Sequence, residues 1–307
     1  MDKKLKPVII ILGATAVGKT EISLDIAEKG NGEIISIDSR LFYRGMDIGT
    51  AKPNQTELDR VPHHFIDIAD PDEVWNIGRF QKEVKEKIIQ IHERGNLPIC
   101  VGGTGQYIHA ITQGWDIPEL KEDHRMREAL IAWGEEIGNE GLFNRLKSLD
   151  PIATEKMDAR NQRRTIRALE VILRTGKLFS GQRRKKPLPY RVLQIGLSRP
   201  REEIYRRVEE RVEKMMEAGF LDEVKALLDM YPSDLRSFSA IGYKQLIAYL
   251  QNEMTYDEAV EDIIRKTKLF VRRQNTWFKP GDSMIHWVKM EGEALQRSLE
   301  IIKEFLD

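Results

Sequence analysis

Residues 8–20 read VIIILGATAVGKT: five apolar residues, a glycine, four spacers, then Gly18, Lys19 and Thr20. The run from Val8 to Leu12 is continuous, as in a strand buried on both faces. TEISLDIAEK, directly after it, has helical character and stops at Gly30. A strand that turns through glycine into a helix aims backbone N–H groups and the positive helix end at one point, where an anion binds. With these flanks, G-x-x-x-x-G-K-[ST] is a Walker A loop. Gly13, Ala14, Thr15, Ala16, Val17, Gly18, Lys19 and Thr20 would wrap a di- or triphosphate. Lys19 would bridge the terminal phosphates, and the Thr20 hydroxyl would hold Mg2+.

The loop requires a parallel sheet around it, and the next eighty residues supply one. EIISID is a second strand candidate, ending on Asp38. GRFQKEVKEKIIQIHERG is an amphipathic helix with Phe80, Val84, Ile88 and Ile91 on one face. LPICVGGTG is a third strand running into a glycine-rich turn. The fold class is therefore α/β: a P-loop parallel sheet core flanked by helices, with a helical insertion domain. In such sheets ligands lie beyond the carboxyl ends of the strands, so the 13–20 loop, Asp38 and Thr104 should converge.

From about residue 119 the pattern becomes helical. PELKEDHRMREALIAWGEEIG, NEGLFNRLKSLDP and NQRRTIRALEVILRTG are helix candidates, the last with Ile166, Leu169 and Ile172 or Leu173 as its inner stripe. RVLQIGL then resumes a strand, and REEIYRRVEERVEKMMEAG a helix with Ile204, Val208, Val212 and Met215 inward. We expect a discontinuous core, 1–118 and 191–307, interrupted by a helical domain at 119–190.

Lys plus Arg and Asp plus Glu both number 49, so any nucleic-acid surface must be local. Two segments offer one. Residues 160–191 carry eleven Lys/Arg and a single acid, Glu170; residues 265–279 carry six and none, interleaved with Phe270, Trp277 and Phe278. Cations for phosphates beside aromatics for stacking is the composition of an RNA-binding surface, although a charge run is more often a solvated face. The lone cysteine, Cys100, excludes an intrachain disulfide. No apolar run reaches a membrane span, and the start lacks a signal-peptide pattern, so a soluble cytoplasmic protein is expected. The adjacent His63 and His64 would point to opposite sides of an extended chain and make a poor chelate.

A nucleotide hydrolase usually adds a strand-end acid that orders metal and water. LPICVGGTG ends in glycines and Thr104 instead. Asp38 by its residues alone is a magnesium ligand, a general base or the cap of a turn. Arg211 borders the buried stripe of its helix, where it either snorkels or reaches the phosphate site.

These pieces resemble one family, the tRNA dimethylallyltransferases, also called tRNA isopentenyltransferases. The matching segments are GATAVGKT, ISIDSRLFYRGMDIGTAKP, PHHFIDI, VGGTGQYI, RRTIRALEVILRTGK, IGYKQLIAYL and RRQNTWF, in the family's order from residue 13 to 278. Ala14, Val17 and Arg272 depart mildly from the usual pattern, and a zinc-finger extension is lacking, which suggests the bacterial type.

The resemblance implies transfer of a dimethylallyl group from dimethylallyl diphosphate to N6 of adenosine 37 in tRNA, with diphosphate leaving. It implies Asp38 as the base, Thr104 beside the reacting centre, and Lys19, Thr20 and Arg211 on the diphosphate with Mg2+. Asp38, Ser39, Arg40, Leu41, Thr104, Arg125, Arg163, Arg164, Arg167, Gly242, Tyr243, Arg272, Arg273, Gln274 and Trp277 would contact tRNA at its anticodon stem-loop. The target base would flip out of its stack, and the enzyme would be a monomer. Two other readings share the cradle: a kinase or adenylate isopentenyltransferase acting on a free nucleotide, and an RNA-binding ATPase.

Overall fold

Among the described residues there are six strands: β1 (Pro7–Gly13), β2 (Gly32–Ser36), β3 (His63–His64), β4 (Leu97–Gly102), β5 (Arg191–Ser198) and β6 (Ile285–Lys289); β1, β2, β4 and β5 are the expected runs, and β3 and β6 are additional. They form one sheet in the order β3-β2-β4-β1-β5-β6, with every pairing parallel. The structure is a computed structural model and describes residues 5–115, 123–155, 157–183 and 186–307. The expected domain start at 119, the first residues of the PELKED helix, and Arg184 and Lys185 of the basic run lie outside them.

The helices are α1 (Lys19–Lys29), α2 (Gln55–Arg60), α3 (Ile77–Glu93), α4 (Gly105–Thr112), α5 (His124–Leu149) and α6 (Pro151–Thr154). They continue as α7 (Gln162–Thr175), α8 (Arg201–Glu217), α9 (Phe220–Met230), α10 (Tyr243–Leu250), α11 (Tyr256–Trp277) and α12 (Ala294–Leu306). No helix of the described residues is long and apolar enough to cross a membrane.

The chain divides into two compact units: residues 1–76, 82–112 and 189–307, and residues 77–81 and 113–188. The first contains the sheet. β1 lies between β4 and β5, and Val8 to Leu12 are 0% exposed, which is why that strand tolerates no polar residue. Ile9 and Ile11 join Leu24 and Ile26 of α1, Ile99 of β4, Ile195 of β5 and Ile302 of α12 in one cluster. Each such buried aliphatic contributes roughly 1.5–3 kcal/mol. Phe80, Val84, Ile88 and Ile91 are all buried, as the spacing of α3 predicts.

His64 and Glu33 are paired at 2.6 Å, and Glu33 also accepts from Arg94 and Asn96. Hydrogen bonding from Arg94 above all holds the Glu33 carboxyl at about 2. His63 Nδ1 faces the Val61 carbonyl. Both histidines are thus used in holding β3 and its approach, and burial pushes both imidazoles below their usual pKa.

The second unit has its own core. Leu130, Leu142 and Leu146 of α5 meet Ile166, Ala168 and Leu169 of α7, with Trp133, Ile172 and Phe179 at the edges. Ile172 therefore completes the α7 stripe, and Leu173 is exposed. Gly138, at φ 76 and ψ 163, breaks α5 into two helical stretches where the sequence suggests two helices. Asp150 caps α6 through the Ala153 N–H and accepts the Ser180 N–H at 2.7 Å.

Candidate active site

The cradle follows from β1 and α1. Gly13 lies at φ 155, and a Cβ there would sit 2.8 Å from the Leu197 carbonyl oxygen, so only glycine lets the chain turn off the strand. Gly18, at φ 107, precedes α1 and has no side chain with which to cap it. The first N–H groups of α1 therefore face the loop with the positive end of the helix dipole. Lys19 Nζ donates to the carbonyls of Gly13 at 3.0 Å and Ala14 at 2.9 Å. Burial lowers its pKa to about 8, with the Asp38 carboxylate opposing that shift and the Arg211 guanidinium adding to it. Thr20 is exposed in the first turn of α1.

One helix braces the cradle from behind, and the sequence alone does not reveal it. Arg207 Nε of α8 donates to the Ala16 carbonyl at 2.8 Å, holding a non-glycine residue at φ 65. Arg199, just before α8, donates from Nε to the Val17 carbonyl at 2.9 Å and is itself paired with Glu203. Ile204, Val208 and Val271 pack against Ala14. One turn beyond Arg207 stands Arg211, whose Nη2 lies 3.4 Å from the Thr50 carbonyl. Burial lowers the Arg211 pKa while Asp38 raises it. Lys19, Asp38 and Arg211 thus share one electrostatic neighbourhood.

Asp38 sits just past β2. Its Oδ1 accepts the Arg40 N–H at 3.0 Å and its carbonyl accepts the Leu41 N–H at 3.1 Å. The turn reading of Asp38 therefore holds, with one oxygen committed to the turn, and the carboxylate also acts electrostatically on Lys19 and Arg211. Arg40 donates to the Ser237 carbonyl and the Ser239 hydroxyl, while Ser39 and Leu41 are partly exposed.

Thr104 follows β4, and its carbonyl accepts the N–H groups of Tyr107 and Ile108 in α4. The glycines around it are crowded. A Cβ on Gly102 would touch Ile37, on Gly103 the Gln274 amide at 2.3 Å, and on Gly105 the Trp277 ring at 2.3 Å. Of the turn's four residues only Thr104 carries a side chain, and it is partly exposed.

The expected RNA contacts fall into two kinds. Arg125, Arg163, Arg164, Arg272 and Arg273 are exposed, and Trp277 is 41% exposed. Arg167 is partly buried on Glu170, which also pairs with Arg127 at 2.8 Å and is 0% exposed. Of the three aromatics in the α11 segment, Phe278 is buried and Phe270 and Trp277 are exposed. Gln274, Gly242 and Tyr243, by contrast, face inward. Tyr243 is fully buried, gives its hydroxyl to Glu223 at 2.6 Å, and has its ring 5.0 Å from that of Phe220. Gly242, at φ 98, leaves room for the same Phe220 ring.

Glu223 was not singled out by any sequence pattern. It accepts the backbone N–H groups of Asp47, Ile48 and Gly49, pinning the loop whose Thr50 carbonyl meets Arg211.

Fold and site together define a P-loop protein in which a carboxylate and a partly exposed arginine lie near the phosphate cradle. The IPP transferase family model matches residues 41–281. A tRNA dimethylallyltransferase of Roseiflexus sp. (strain RS-1) is 43% identical over 302 residues, 98% of this chain and 99% of that one. A solved tRNA isopentenylpyrophosphate transferase from Bacillus halodurans is 39% identical with a TM-score of 0.74, covering 98% and 96% of the two chains. A eukaryotic dimethylallyltransferase solved acting on tRNA is 28% identical with a TM-score of 0.84, covering 98% of this chain and 79% of that one. The chain belongs to the IPP transferase family.

Proposed function

We propose that this protein is a tRNA dimethylallyltransferase, carrying the prenyl group of dimethylallyl diphosphate to N6 of adenosine 37. The N6–C1 bond forms as the C1–O bond breaks, the diphosphate leaves with the electron pair, and the N6 proton passes to the free oxygen of Asp38. Lys19, Arg211 and the N–H groups of the 13–20 loop take the charge that builds on the bridging oxygen. Thr104 hydrogen-bonds beside the reacting centre.

The observation that carries this reading is the convergence of Lys19 beyond β1, Asp38 beyond β2 and Arg211 on α8 at the carboxyl side of the parallel sheet. A leaving diphosphate needs cations and an aimed base, and no acid for a hydrolytic water.

Mg2+ suits the donor set. Among the described residues no group of three His, Cys, Asp or Glu side chains is arranged to hold a metal. A cation at Thr20 would therefore complete its shell with diphosphate oxygens and water, which is how Mg2+ is usually held. When bound it adds positive charge beside the leaving group.

The second unit, as the helical insertion domain, presents Arg125, Arg163, Arg164 and Arg167 to the anticodon stem-loop. The α11 segment presents Arg272, Arg273 and Trp277 to the same RNA. Gly242, Tyr243 and Gln274 serve it from inside, by shaping the elements that touch it. The protein works as a cytoplasmic monomer.

The test is mass spectrometry of an unmodified anticodon stem-loop after incubation with dimethylallyl diphosphate and Mg2+, with AMP as the competing acceptor. A C5H8 mass gain on the RNA adenine is expected. Prenylation of AMP alone, or RNA-stimulated ATP hydrolysis without a mass gain, overturns the reading.

A further inference from the structure

α11 has two faces with different neighbours. Arg272 and Arg273 are exposed on one; Val271, Gln274 and Phe278 are 2%, 4% and 4% exposed on the other. Gln274 is the polar member of that inner row, and both ends of its amide are engaged. Its Oε1 accepts the Thr15 N–H of the phosphate cradle at 2.9 Å, and its Nε2 donates to the Gly103 carbonyl at 3.0 Å. One planar group thus joins the loop that follows β1 to the turn that follows β4. Three residues on, Trp277 fills the space that the missing Cβ of Gly105 leaves open.

We infer that Gln274 is a positioning residue for the transfer reaction, setting the cradle and the Thr104 turn at a fixed separation. The inference rests on the proposed activity and deepens it. Transfer needs the diphosphate end and the acceptor end of the site in register, and a misplacement of about 1 Å costs roughly 100-fold in rate. The buried amide bridge is the side-chain link between the two, just beyond the point where the paired strands β1 and β4 end at Leu12 and Gly102. It lies on the helix whose outer face bears the expected RNA-binding residues, so RNA contact and site geometry share one rigid element. The inward row at 271, 274 and 278 explains why a residue inside the RRQ run is buried.

Two variants approach the bridge from opposite sides. Gln274→Met keeps the volume and removes both hydrogen bonds. Gly103→Ala leaves the sequence of α11 unchanged and drives a methyl group into the Gln274 amide and against the Gly13 carbonyl. For both, single-turnover transfer at saturating substrates should fall about 100-fold, with stem-loop affinity within about twofold of the parent and diphosphate affinity measurably weaker. The thermal midpoint of each confirms that the folded protein is what is measured. A rate within about twofold of the parent for folded Gln274→Met overturns the inference. So does a loss of stem-loop affinity equal to the loss of rate, which would make Gln274 an RNA contact. If the parent protein itself transfers no prenyl group, the proposed activity fails. Diphosphate affinity, measured by calorimetry without RNA, then still decides whether Gln274 holds the cradle: a value unchanged in both variants overturns the inference.

Discussion

At the scale of single residues the site is a balance of charge around two strand ends. Asp38 holds its turn with one oxygen, so Asp38→Asn keeps the Arg40 contact while removing the proton acceptor and the negative charge beside Lys19 and Arg211. Its kcat should fall by about 10²–10⁴-fold while stem-loop affinity holds, as filter binding and steady-state kinetics would show. Lys19 gives a pH signature. Burial brings its pKa to about 8, and a bound diphosphate favours the charged form. Affinity for dimethylallyl diphosphate should therefore be level below that pKa and decline as pH rises through about 8. Lys19→Arg, charged throughout, should show no such decline; calorimetric titrations across this range decide it. The role of Lys19 is legible from local sequence, because the strand, loop and helix that define it are consecutive. Arg199 and Arg207 are not. Their partners lie more than 180 residues away in the chain, and nothing near them in sequence marks which helix face meets the cradle.

At the scale of elements, amphipathic period predicts α3, α7 and α8 well, since each buries one stripe. It says less about polar residues inside a stripe. Gln274 could have been found from its spacing between Val271 and Phe278, but the adjacent arginines draw attention outward. Glu170 is the corresponding case in α7. It is fully buried, and burial works to raise its pKa, yet hydrogen bonds from Arg127 and Arg167 outweigh that and hold it below the usual carboxylate range. A depressed carboxyl stabilises the fold above its unfolded pKa and loses that contribution as pH falls through the folded value. Glu170→Gln should cost about 2–3 kcal/mol in urea unfolding at neutral pH. The difference from the parent should shrink as pH drops below the normal carboxylate range. The parent carboxylate also gathers Arg127 and Arg167 on one side of the unit, so this acid in a basic run organises the cations around it.

At the scale of the molecule, the two units carry separate apolar cores, and apart from the short stretch 77–81 the sheet unit is left and re-entered at one place. Its chain departs at Thr112 and returns at Pro189, where the Tyr190 hydroxyl donates to the Ile111 carbonyl at 3.0 Å. Replacing residues 113–188 with a short Gly/Ser linker should leave a folded sheet unit that binds dimethylallyl diphosphate and has lost most stem-loop affinity. Circular dichroism with calorimetry would show whether it does. The parallel sense of β1, β2, β4 and β5 and the position of the cradle follow from alternation along the chain, whereas the strand order, the edge strands β3 and β6, and the braces behind the cradle depend on the tertiary fold. Among these, α8 has a consequence for the lengths that the chain can adopt. A helix advances ~1.5 Å and turns about 100° with each residue. Arg207 grips the cradle and Arg211, proposed to face the leaving group, stands one turn further on, so the four-residue interval is a ruler. One residue added or removed within it would swing the guanidinium to another side of the helix while leaving every side chain chemically intact. Length inside that turn is therefore as much a part of the site as the arginines, and any growth or shrinkage of this chain has to be absorbed in its loops.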